Sequence, residues 1–473
     1  MPLYPSAEEF SSTVFDYIVI GGGNAGVPLA VRLAEDRSAR VGLLEAGSMV
    51  SDDPLITQPK AIAMATGNPT FDWCFKTEPQ KHLGQRSIPV PRGKGLGGTS
   101  LLHYLAWDRA SKQEYDSWKH FSDPEGGWDW DSLLPYFKKA ENASASQAGF
   151  DPYPAVSLPD AQITREGTPH EEVCGLDGPV KTSYNVLYTD IMAPAIKAFN
   201  SLGAPTNANG YGGETDGVKN LKRTVDKDSG TRVSSASAYL DLAKEFDNLH
   251  ILTNAMVTKL LFETSLDDQG NHVVRGAEIS VHGEHYTTLA AKEVVLCCGS
   301  VQTPQVLELS GIGNASLLKS LGIPCRVDLS GIGENLFDRI FTPTQFLLRP
   351  DVRTFDEFRN NPTFLAEETA KYESSGQGWI AASDSIVVYN PLHRVVGETK
   401  FPPFMKSLKD SISAAKESNS LTPLQIEQYQ VQLKWLEKNP VPNLETMIFS
   451  KGLVAPVAGR SYFVMLTGVQ VFS

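Results

Sequence analysis

The stretch Phe15-Asp-Tyr-Ile-Val-Ile-Gly-Gly-Gly-Asn-Ala-Gly26 decides the fold of this chain. It joins a short apolar run to a glycine-rich turn, and apolar residues at helical spacing follow over residues 24–35. The next apolar run is Val41-Gly-Leu-Leu-Glu45. Such runs are typical of strands that are buried on both faces. The order strand, glycine turn, helix and strand therefore predicts a βαβ unit and a parallel sheet.

Gly21, Gly23 and Gly26 form the pattern G-x-G-x-x-G. The first glycine allows a tight turn, the second lets backbone N–H groups approach a diphosphate, and the third lets the helix pack closely on its strand. Alone, the pattern is often a simple turn. Here it follows a strand, opens a helix and precedes Glu45, whose carboxylate can accept hydrogen bonds from both ribose hydroxyls and repels a 2′-phosphate. This favours NAD or the adenosine half of FAD over NADP.

A second glycine-rich loop follows at Arg92-Gly-Lys-Gly-Leu-Gly-Gly-Thr-Ser-Leu-Leu-His103. Its glycines leave a bare backbone that can run against a flat ligand. Thr99 and Ser100 supply hydroxyls, and Arg92 and Lys94 supply cationic donors. A surface turn is the alternative interpretation of this loop alone. Two separated loops in this order predict a long dinucleotide held at its diphosphate and at its redox ring, which indicates FAD and a flavin-dependent oxidoreductase.

The composition excludes several classes of protein. The 473 residues allow two or more domains, and their 41% hydrophobic and 21% charged content is ordinary for a globular protein. The formal net charge of −13 disfavours nucleic acid and anionic membranes as partners. No run approaches the roughly 18 apolar residues of a membrane span, and the first residues lack the features of a signal peptide. We therefore expect an intracellular, cytoplasmic protein without a transmembrane segment.

The sequence contains five cysteines, and no two of them have the spacing of metal ligands. Their odd number and the intracellular setting favour reduced thiols over disulfides. Cys297 and Cys298 end an apolar run that begins at Glu293, and we expect these two side chains to point to opposite sides of a strand. The sequence predicts no metal site.

The remaining segments differ in composition. Residues 48–92 are rich in proline and predict an extended excursion, and residues 147–230 predict mostly loop. Leu249–Phe262 alternates as one strand would, and Val273–Ala291 predicts a hairpin or meander with a turn at His282-Gly283.

These motifs resemble those of a known family. The second glycine loop is similar to the first signature of the glucose–methanol–choline (GMC) flavoprotein oxidoreductases, and the segment from Gly299 to Gly313 is similar to the second signature. Two shorter segments resemble further family turns: Arg232-Val-Ser-Ser-Ala-Ser-Ala-Tyr-Leu240 and Gly331-Ile-Gly-Glu-Asn-Leu336. The resemblance covers roughly residues 14–340 well and the rest loosely.

The resemblance implies an α/β fold in which a FAD-binding Rossmann-like domain carries an attached α+β substrate-binding domain of sheet and helices. It assigns residues 1–345 to the first domain, interrupted by excursions at about 48–92 and 147–230, and residues 346–473 to the second. The second domain is expected to be incomplete, because the end of the sequence resembles a family strand that is cut short. We therefore expect a C-terminally truncated family member.

The resemblance also implies which residues hold FAD. Asn24 and Ala25 would lie on the diphosphate and Glu45 on the adenosine ribose. Val257 would bind adenine through its backbone, and His103-Tyr-Leu-Ala106 would lie along the flavin. The predicted cofactor-binding set is Gly21, Gly23, Asn24, Ala25, Gly26, Glu45, Ala46, Arg92, Gly97, Thr99, His103, Tyr104, Leu105, Ala106, Val257 and Gly299.

The sequence departs from the family pattern at two important points. The position that carries covalent FAD as histidine in some members is Leu102, so the resemblance implies non-covalent FAD. Alcohol oxidation also needs a base for the hydroxyl proton, which the family takes from a C-terminal His-Pro-x-Gly-Thr-type segment. None of the nine histidines lies in such a segment. The catalytic residue is therefore unassigned, and His103 is expected to position the cofactor rather than to abstract a proton.

The leading interpretation is a GMC-type FAD-dependent alcohol oxidase or dehydrogenase. It would transfer hydride from an alcohol group of a small organic molecule to flavin N5, with oxygen or another acceptor reoxidising the flavin, in a secondary-metabolite pathway. Three alternatives stay open: a non-redox lyase or cyclase on the same fold, an inactive truncated remnant of the FAD fold, and an NAD-dependent dehydrogenase. The second glycine loop argues against the last of these.

Overall fold

The computed structural model describes residues 4–50, 52–123, 125–145, 172–185, 187–437 and 441–469. The chain divides into two compact units. Unit 1 comprises Met1–Leu105 and Arg232–Leu336, and unit 2 comprises Ala106–Thr231 and Phe337–Ser473. The boundaries 1–345 and 346–473 concern functional domains and stay a prediction.

The strands in chain order are β1 (Val14–Ile20), β2 (Val41–Leu44), β3 (Phe75–Lys76), β4 (Pro89–Val90), β5 (Ala106–Trp107), β6 (Glu141–Ala143), β7 (Val180–Thr182), β8 (Gly217–Asn220), β9 (Lys222–Arg223), β10 (Val225–Asp226), β11 (Thr231–Arg232), β12 (Leu249–Leu252), β13 (Ala255–Phe262), β14 (Val274–Val281), β15 (Glu284–Leu296), β16 (Ile312–Gly313), β17 (Val327–Asp328), β18 (Phe341–Leu347), β19 (Ile386–Asn390), β20 (Leu444–Phe449) and β21 (Tyr462–Val469).

The α-helices are α1 (Ala7–Ser12), α2 (Gly26–Ala34), α3 (Pro54–Thr57), α4 (Lys112–Ser117), α5 (Trp130–Ala140), α6 (Met192–Ser201), α7 (Ser235–Leu242), α8 (Gly299–Leu309), α9 (Ala315–Ser320), α10 (Glu357–Asn360), α11 (Pro362–Ser375), α12 (Leu392–Val396), α13 (Phe401–Glu417) and α14 (Pro423–Glu437). Short 3₁₀ turns occupy Pro59–Ala61, Lys81–Leu83, Gly98–Leu101, Trp118–His120 and Trp379–Ala381. Among the described residues, no helix combines the length and the apolar character that crossing a bilayer requires.

Unit 1 is built on a six-stranded sheet with the order β12-β2-β1-β15-β14-β13. The first four strands pair in parallel, and β14 and β13 add an antiparallel extension. The predicted βαβ unit is confirmed as β1–α2–β2, in which Tyr17–Ile20 pair with Val41–Leu44. All four residues of β2 are buried, as expected of a strand covered on both faces.

The long strand β15 joins the two halves of this sheet. Its first part pairs with β14 and its second part pairs with β1. The predicted hairpin is confirmed, because β14 and β15 are joined at His282 and Gly283, whose φ angles are 51° and 88°. Two left-handed residues in succession suit the twist of a tight hairpin.

The prediction of one strand over Leu249–Phe262 was wrong. The segment forms β12, which pairs in parallel with β2, and then β13, which pairs antiparallel with β14. Asn254 lies between them with a φ of 55°, a left-handed conformation that asparagine tolerates better than most residues. The turn at this residue lets the chain leave the parallel part of the sheet and begin the antiparallel part.

Unit 2 contains a five-stranded antiparallel sheet with the order β18-β21-β20-β19-β8. Helix α6 packs its buried side chains Met192 and Ile196 in one core cluster with strand residues such as Val218 and Val388. Residues 146–171, where part of the predicted loop falls, lie outside the described residues. The rest of that segment contains α6 and β7–β10 rather than only loop. Strand β8 was not predicted because its partner, β19, lies far along the chain.

A cluster of buried charges lies inside unit 2. The carboxylate of Glu141 is fully buried and accepts hydrogen bonds from Arg109 Nη2 at 3.0 Å and from the Thr182 hydroxyl at 3.1 Å. Lys222 Nζ also pairs with Glu141, and both cations are almost fully buried. One carboxylate therefore compensates two buried positive charges, and breaking such an arrangement from one side is costly.

We predict that Glu141→Gln lowers the free energy of unfolding by about 3–5 kcal/mol, because two buried cations lose their counter-charge. Urea unfolding of the purified protein measures this change. The matched control is Asp131→Asn, whose exposed carboxylate pairs with Lys112 at 2.8 Å and should contribute less than about 1 kcal/mol. Equal effects of the two substitutions would contradict the prediction.

Candidate functional site

The first glycine loop makes the turn from β1 into α2. Gly21 has a φ of 102°, and its N–H donates to the carbonyl of Leu44 at 2.8 Å. A Cβ on Gly26 would lie 1.8 Å from the carbonyl oxygen of Gly21. The first glycine therefore allows the turn, and the third allows α2 to approach that turn, as the pattern predicts. Gly23, Asn24 and Ala25, the three residues before α2, line the wall of a cavity at the N-terminal end of this helix, and helix N-termini in general favour an anion.

The second glycine loop packs directly on the first. The N–H of Gly97 donates to the carbonyl of Gly22 at 2.8 Å, and the N–H of Ser100 donates to Asn24 Oδ1 at 3.1 Å. A Cβ on Gly98 would lie only 2.6 Å from the Cα of Gly23. The two loops thus meet backbone to backbone, and a side chain at the contact would separate them.

Glu45 lies at the end of β2, next to both loops. Its carboxylate accepts hydrogen bonds from the N–H groups of Gly22 and Gly47, each at 2.8 Å, and its side chain is buried. Burial raises the pKa of Glu45, and the N–H donors of Gly47, Gly22 and Gly95 oppose that rise. The two oxygens of a carboxylate offer about four acceptor positions, so Glu45 retains capacity for a ligand hydroxyl beside these three donors.

One cavity of about 940 Å³ in unit 1 brings most of the predicted residues together. Its volume is at the upper end of the roughly 300–1,000 Å³ that is usual for ligand sites. The predicted residues that line it are Gly21, Gly23, Asn24, Ala25, Glu45, Ala46, Arg92, Thr99, Val257 and Gly299.

The other predicted residues lie elsewhere. Gly26 and Gly97 do not line the cavity. Gly26 lets α2 approach Gly21, and the N–H of Gly97 donates to the carbonyl of Gly22. His103 ends the second loop, and Tyr104 and Leu105 follow it in unit 1; none of the three is part of the lining. Ala106 begins unit 2, where it pairs with β9. Contacts of the run 103–106 with a cofactor stay a prediction.

His103 is held in one orientation by its neighbours. Its Nδ1 accepts a hydrogen bond from the N–H of Leu105 at 2.9 Å, and its carbonyl accepts one from Arg232 at 2.8 Å. Burial, and to a lesser extent the nearby charge of Arg232, lowers the pKa of His103 to about 3. The imidazole is therefore neutral across the physiological range.

Sequence reasoning missed an aromatic pair in the cavity wall. Trp73 and Phe75 line the cavity with parallel rings whose centroids are 5.8 Å apart. The N–H of Trp73 donates to the carbonyl of Arg92 at 2.9 Å, which fixes this segment beside the second loop. The spacing of two residues does not account for this pair, because Cys74 between the rings has a φ of 55° and the segment is not extended there.

Sequence reasoning also misplaced the adjacent cysteines. Strand β15 ends at Leu296, and Cys298 is already the N-cap of α8. Cys297 and Cys298 both line the cavity, and the expectation that they lie on a strand was wrong, because the strand ends one residue before them. Burial, followed by the proximity of Cys297 and Glu45, raises the pKa of Cys298 to about 12, so its side chain is a thiol.

Comparison with known proteins agrees with this geometry. A Rossmann-like sheet with two glycine loops on one cavity defines a nucleotide-binding oxidoreductase fold. The family model described as "GMC oxidoreductase" matches residues 15–341. The chain belongs to the GMC oxidoreductase family, and this membership supports FAD as its cofactor.

Individual relatives extend the comparison. A dehydrogenase of Armillaria gallica is 35% identical over 472 residues, covering 98% of this chain and 71% of the relative. An oxygen-dependent choline dehydrogenase of Pseudomonas fluorescens is 35% identical over 75% of this chain and 58% of its own length. The structure of a FAD-dependent oxidoreductase from Chaetomium thermophilum superposes with a TM-score of 0.80 at 27% identity, over 96% of this chain and 74% of that one. The chain thus spans between about three-fifths and three-quarters of these proteins.

We predict that Gly26→Ala lowers the free energy of unfolding by at least about 2 kcal/mol, because the new methyl group overlaps the Gly21 carbonyl and forces α2 away from β1. Thermal and urea unfolding measure the effect. Gly23→Ala is the control, because a Cβ there would make its nearest contact at 3.6 Å and should cost less than about 1 kcal/mol. A Gly26 variant as stable as the Gly23 variant would contradict the proposed role.

We also predict a pH dependence that is due to His103. Its folded pKa of about 3 lies below the ordinary value of 6.5, so the unfolded chain binds a proton that the folded chain does not. The resulting stability is complete above about pH 6.5 and is lost as the pH falls toward 3. His103→Asn should therefore lose less stability than the wild type between about pH 7.5 and about pH 4.5, as measured by urea unfolding. Substituting the exposed His82 by Asn should leave the wild-type dependence unchanged.

Proposed function

We propose that this chain binds FAD in the cavity of unit 1 and dehydrogenates an alcohol group of a small organic molecule. The observation that carries the proposal is the direct contact of two glycine loops on one continuous cavity. A loop that opens a helix suits a diphosphate, and a second bare loop in the same wall suits a flat ring. Family membership supports the same cofactor.

The residues of the cavity fit the parts of FAD. The N–H groups at the start of α2 and the cation of Arg92 suit the diphosphate, whose two negative charges need donors and positive charge. The buried carboxylate of Glu45 suits the adenosine ribose, because it can accept hydrogen bonds from neighbouring hydroxyls. Val257, on β13, lines the cavity as well, which supports the proposal that its backbone binds adenine.

The buried apolar surroundings of Leu102 support non-covalent binding. This side chain packs with Ile56, Ala65, Phe71 and Leu101 in one cluster of unit 1. An alkyl side chain has no nucleophile that could attach a flavin, and its neighbours in the cluster are apolar as well. Release of the yellow cofactor on acid denaturation is the expected outcome.

For the reaction, bound FAD would supply the hydride acceptor. The residues of unit 1 bind and orient this cofactor, and the apolar side chains of the wall, such as Trp73 and Phe75, exclude water from it. The proton of the substrate hydroxyl needs a base. No histidine is found among the described residues that line the cavity, and the base is unassigned.

The substrate and acceptor classes rest on the relatives. One relative is named an oxygen-dependent choline dehydrogenase, and choline is a small organic alcohol. We infer a small alcohol substrate and oxygen or another small electron acceptor for this chain as well. The cytoplasmic location and a role in a secondary-metabolite pathway stay predictions from the sequence.

Titration of cofactor-free protein with FAD tests the proposal. We expect saturable binding with a shifted visible spectrum, and we expect Gly23→Ala to raise Kd by roughly tenfold or more, because Gly23 lines the cavity and the added methyl group would lie beside the proposed diphosphate position. Glu35→Gln on the outer surface of the same unit is the control and should bind FAD as the wild type does. A visible spectrum of FAD that the protein leaves unchanged would refute the proposal.

Anaerobic addition of small alcohols to the FAD-loaded protein then tests the chemistry. Bleaching of the flavin absorbance is expected for at least one alcohol and would exclude a non-redox lyase or cyclase. Binding of FAD without bleaching by any alcohol of a broad panel would favour that alternative or an inactive remnant.

A further inference from the structure

A third segment, distant in sequence, contacts both glycine loops. Ser235, the first residue of α7, has its hydroxyl 3.3 Å from the carbonyl of Gly23 in the first loop and 3.2 Å from the carbonyl of Gly97 in the second. Its N–H donates to the hydroxyl of Ser100 at 2.9 Å. Ser235 is not among the residues that line the cavity.

Ser100, in the second loop, makes further hydrogen bonds in the same region. Its hydroxyl donates to the carbonyl of Gly97 at 2.5 Å, and its N–H donates to Asn24 Oδ1 at 3.1 Å. Its side chain is buried. Ser100 and Ser235 therefore form one group of small hydroxyls that joins the first loop, the second loop and the start of α7. Buried networks of this kind fix one geometry, because each lost partner leaves a buried polar group unsatisfied.

Arg232, three residues before Ser235, contacts the same region. This buried guanidinium donates to the carbonyls of Ile56 at 2.8 Å, Ser100 at 3.2 Å and His103 at 2.8 Å. Two of these three carbonyls belong to the second glycine loop, so Arg232 fixes the end of the loop while Ser235 fixes its centre.

We propose that the segment Arg232–Ser235, which we name the loop clamp, positions the two glycine loops relative to each other and thereby sets the affinity for FAD. The inference rests on the function proposed above. Ser235 is a positioning residue, because it acts through the loop backbones and not on the ligand. Without its hydroxyl, the Gly97 carbonyl keeps only the Ser100 contact, and the second loop gains freedom that FAD binding must then remove.

The same helix offers a matched control. Ser237 lies one turn inside α7, is exposed, and exchanges hydrogen bonds with Ser234 in a capping box. Its hydrogen bonds are with Ser234 at the helix start and not with either loop. Ser237→Ala therefore perturbs the same helix to a similar degree and leaves the clamp contacts in place.

FAD titrations of the full chain test the inference. Ser235→Ala should raise the Kd for FAD by about tenfold, whereas Ser235→Thr, which keeps the hydroxyl, and Ser237→Ala should stay within about threefold of the wild type. Ser100→Ala removes the contact from the other side, and the double variant with Ser235→Ala should lose less than the product of the single losses. A Ser235→Ala variant with wild-type Kd would overturn the clamp, as would equal losses in the Ala and Thr variants.

A measurement without cofactor separates this inference from the proposed function. In cofactor-free protein, Ser235→Ala should speed amide hydrogen exchange at Gly97 and Ser100, whose N–H groups bridge the two loops, and Ser237→Ala should not. Faster exchange in the Ser235→Ala variant, together with a wild type that fails to bind FAD, would uphold the clamp and reject the proposed function. Unchanged exchange in a protein that binds FAD would reject the clamp alone.

Discussion

The site depends on a contact between two pieces of backbone. Gly97 donates to the carbonyl of Gly22, and the Cα of Gly23 lies where a side chain on Gly98 would have to be. This approach is possible only because Gly98 lacks a Cβ atom at the contact. The same bareness leaves N–H groups at the cavity wall, so the feature that lets the loops meet also lets a ligand with a diphosphate approach them.

Most polar contacts around the cavity are made by backbone groups or by groups that hold the backbone. Glu45 accepts from glycine N–H groups, and Arg232 donates to three carbonyls. Buried charges placed in this way satisfy main-chain groups that strands and helices leave without partners. The shape of the loops is consequently fixed before any ligand binds, which reduces the ordering that binding requires.

Unit 2 buries charged side chains by pairing them with one another. Glu141 pairs with Arg109 and Lys222 inside the protein, away from the surface. The residues of this cluster come from segments far apart in sequence, and their compensation depends on all three charges being present. The antiparallel sheet of the unit likewise pairs β8 with β19, which follows it by more than 160 residues.

The sequence was most informative where a local rule acts on neighbouring residues. The β1–α2–β2 unit and the His282-Gly283 turn follow from residues within a few positions of one another, because apolar runs and glycines constrain only their own segment. Prediction was wrong where pairing partners decide the outcome. Leu249–Phe262 has the alternation of one strand. Its two halves nevertheless pair with β2 and β14, which lie in different parts of the sheet, so the segment divides at Asn254.

The sequence by itself determined the family, indicated the class of cofactor and identified ten residues of the cavity wall, because glycine patterns and buried strands are local physical requirements. Only the tertiary structure decided that Trp73 and Phe75 join this wall, that both cysteines of the pair line it, and that Ser235 contacts both loops. These arrangements depend on how segments that are distant in sequence pack, and a hydroxyl or an aromatic ring carries no mark of its eventual partner in its local neighbours.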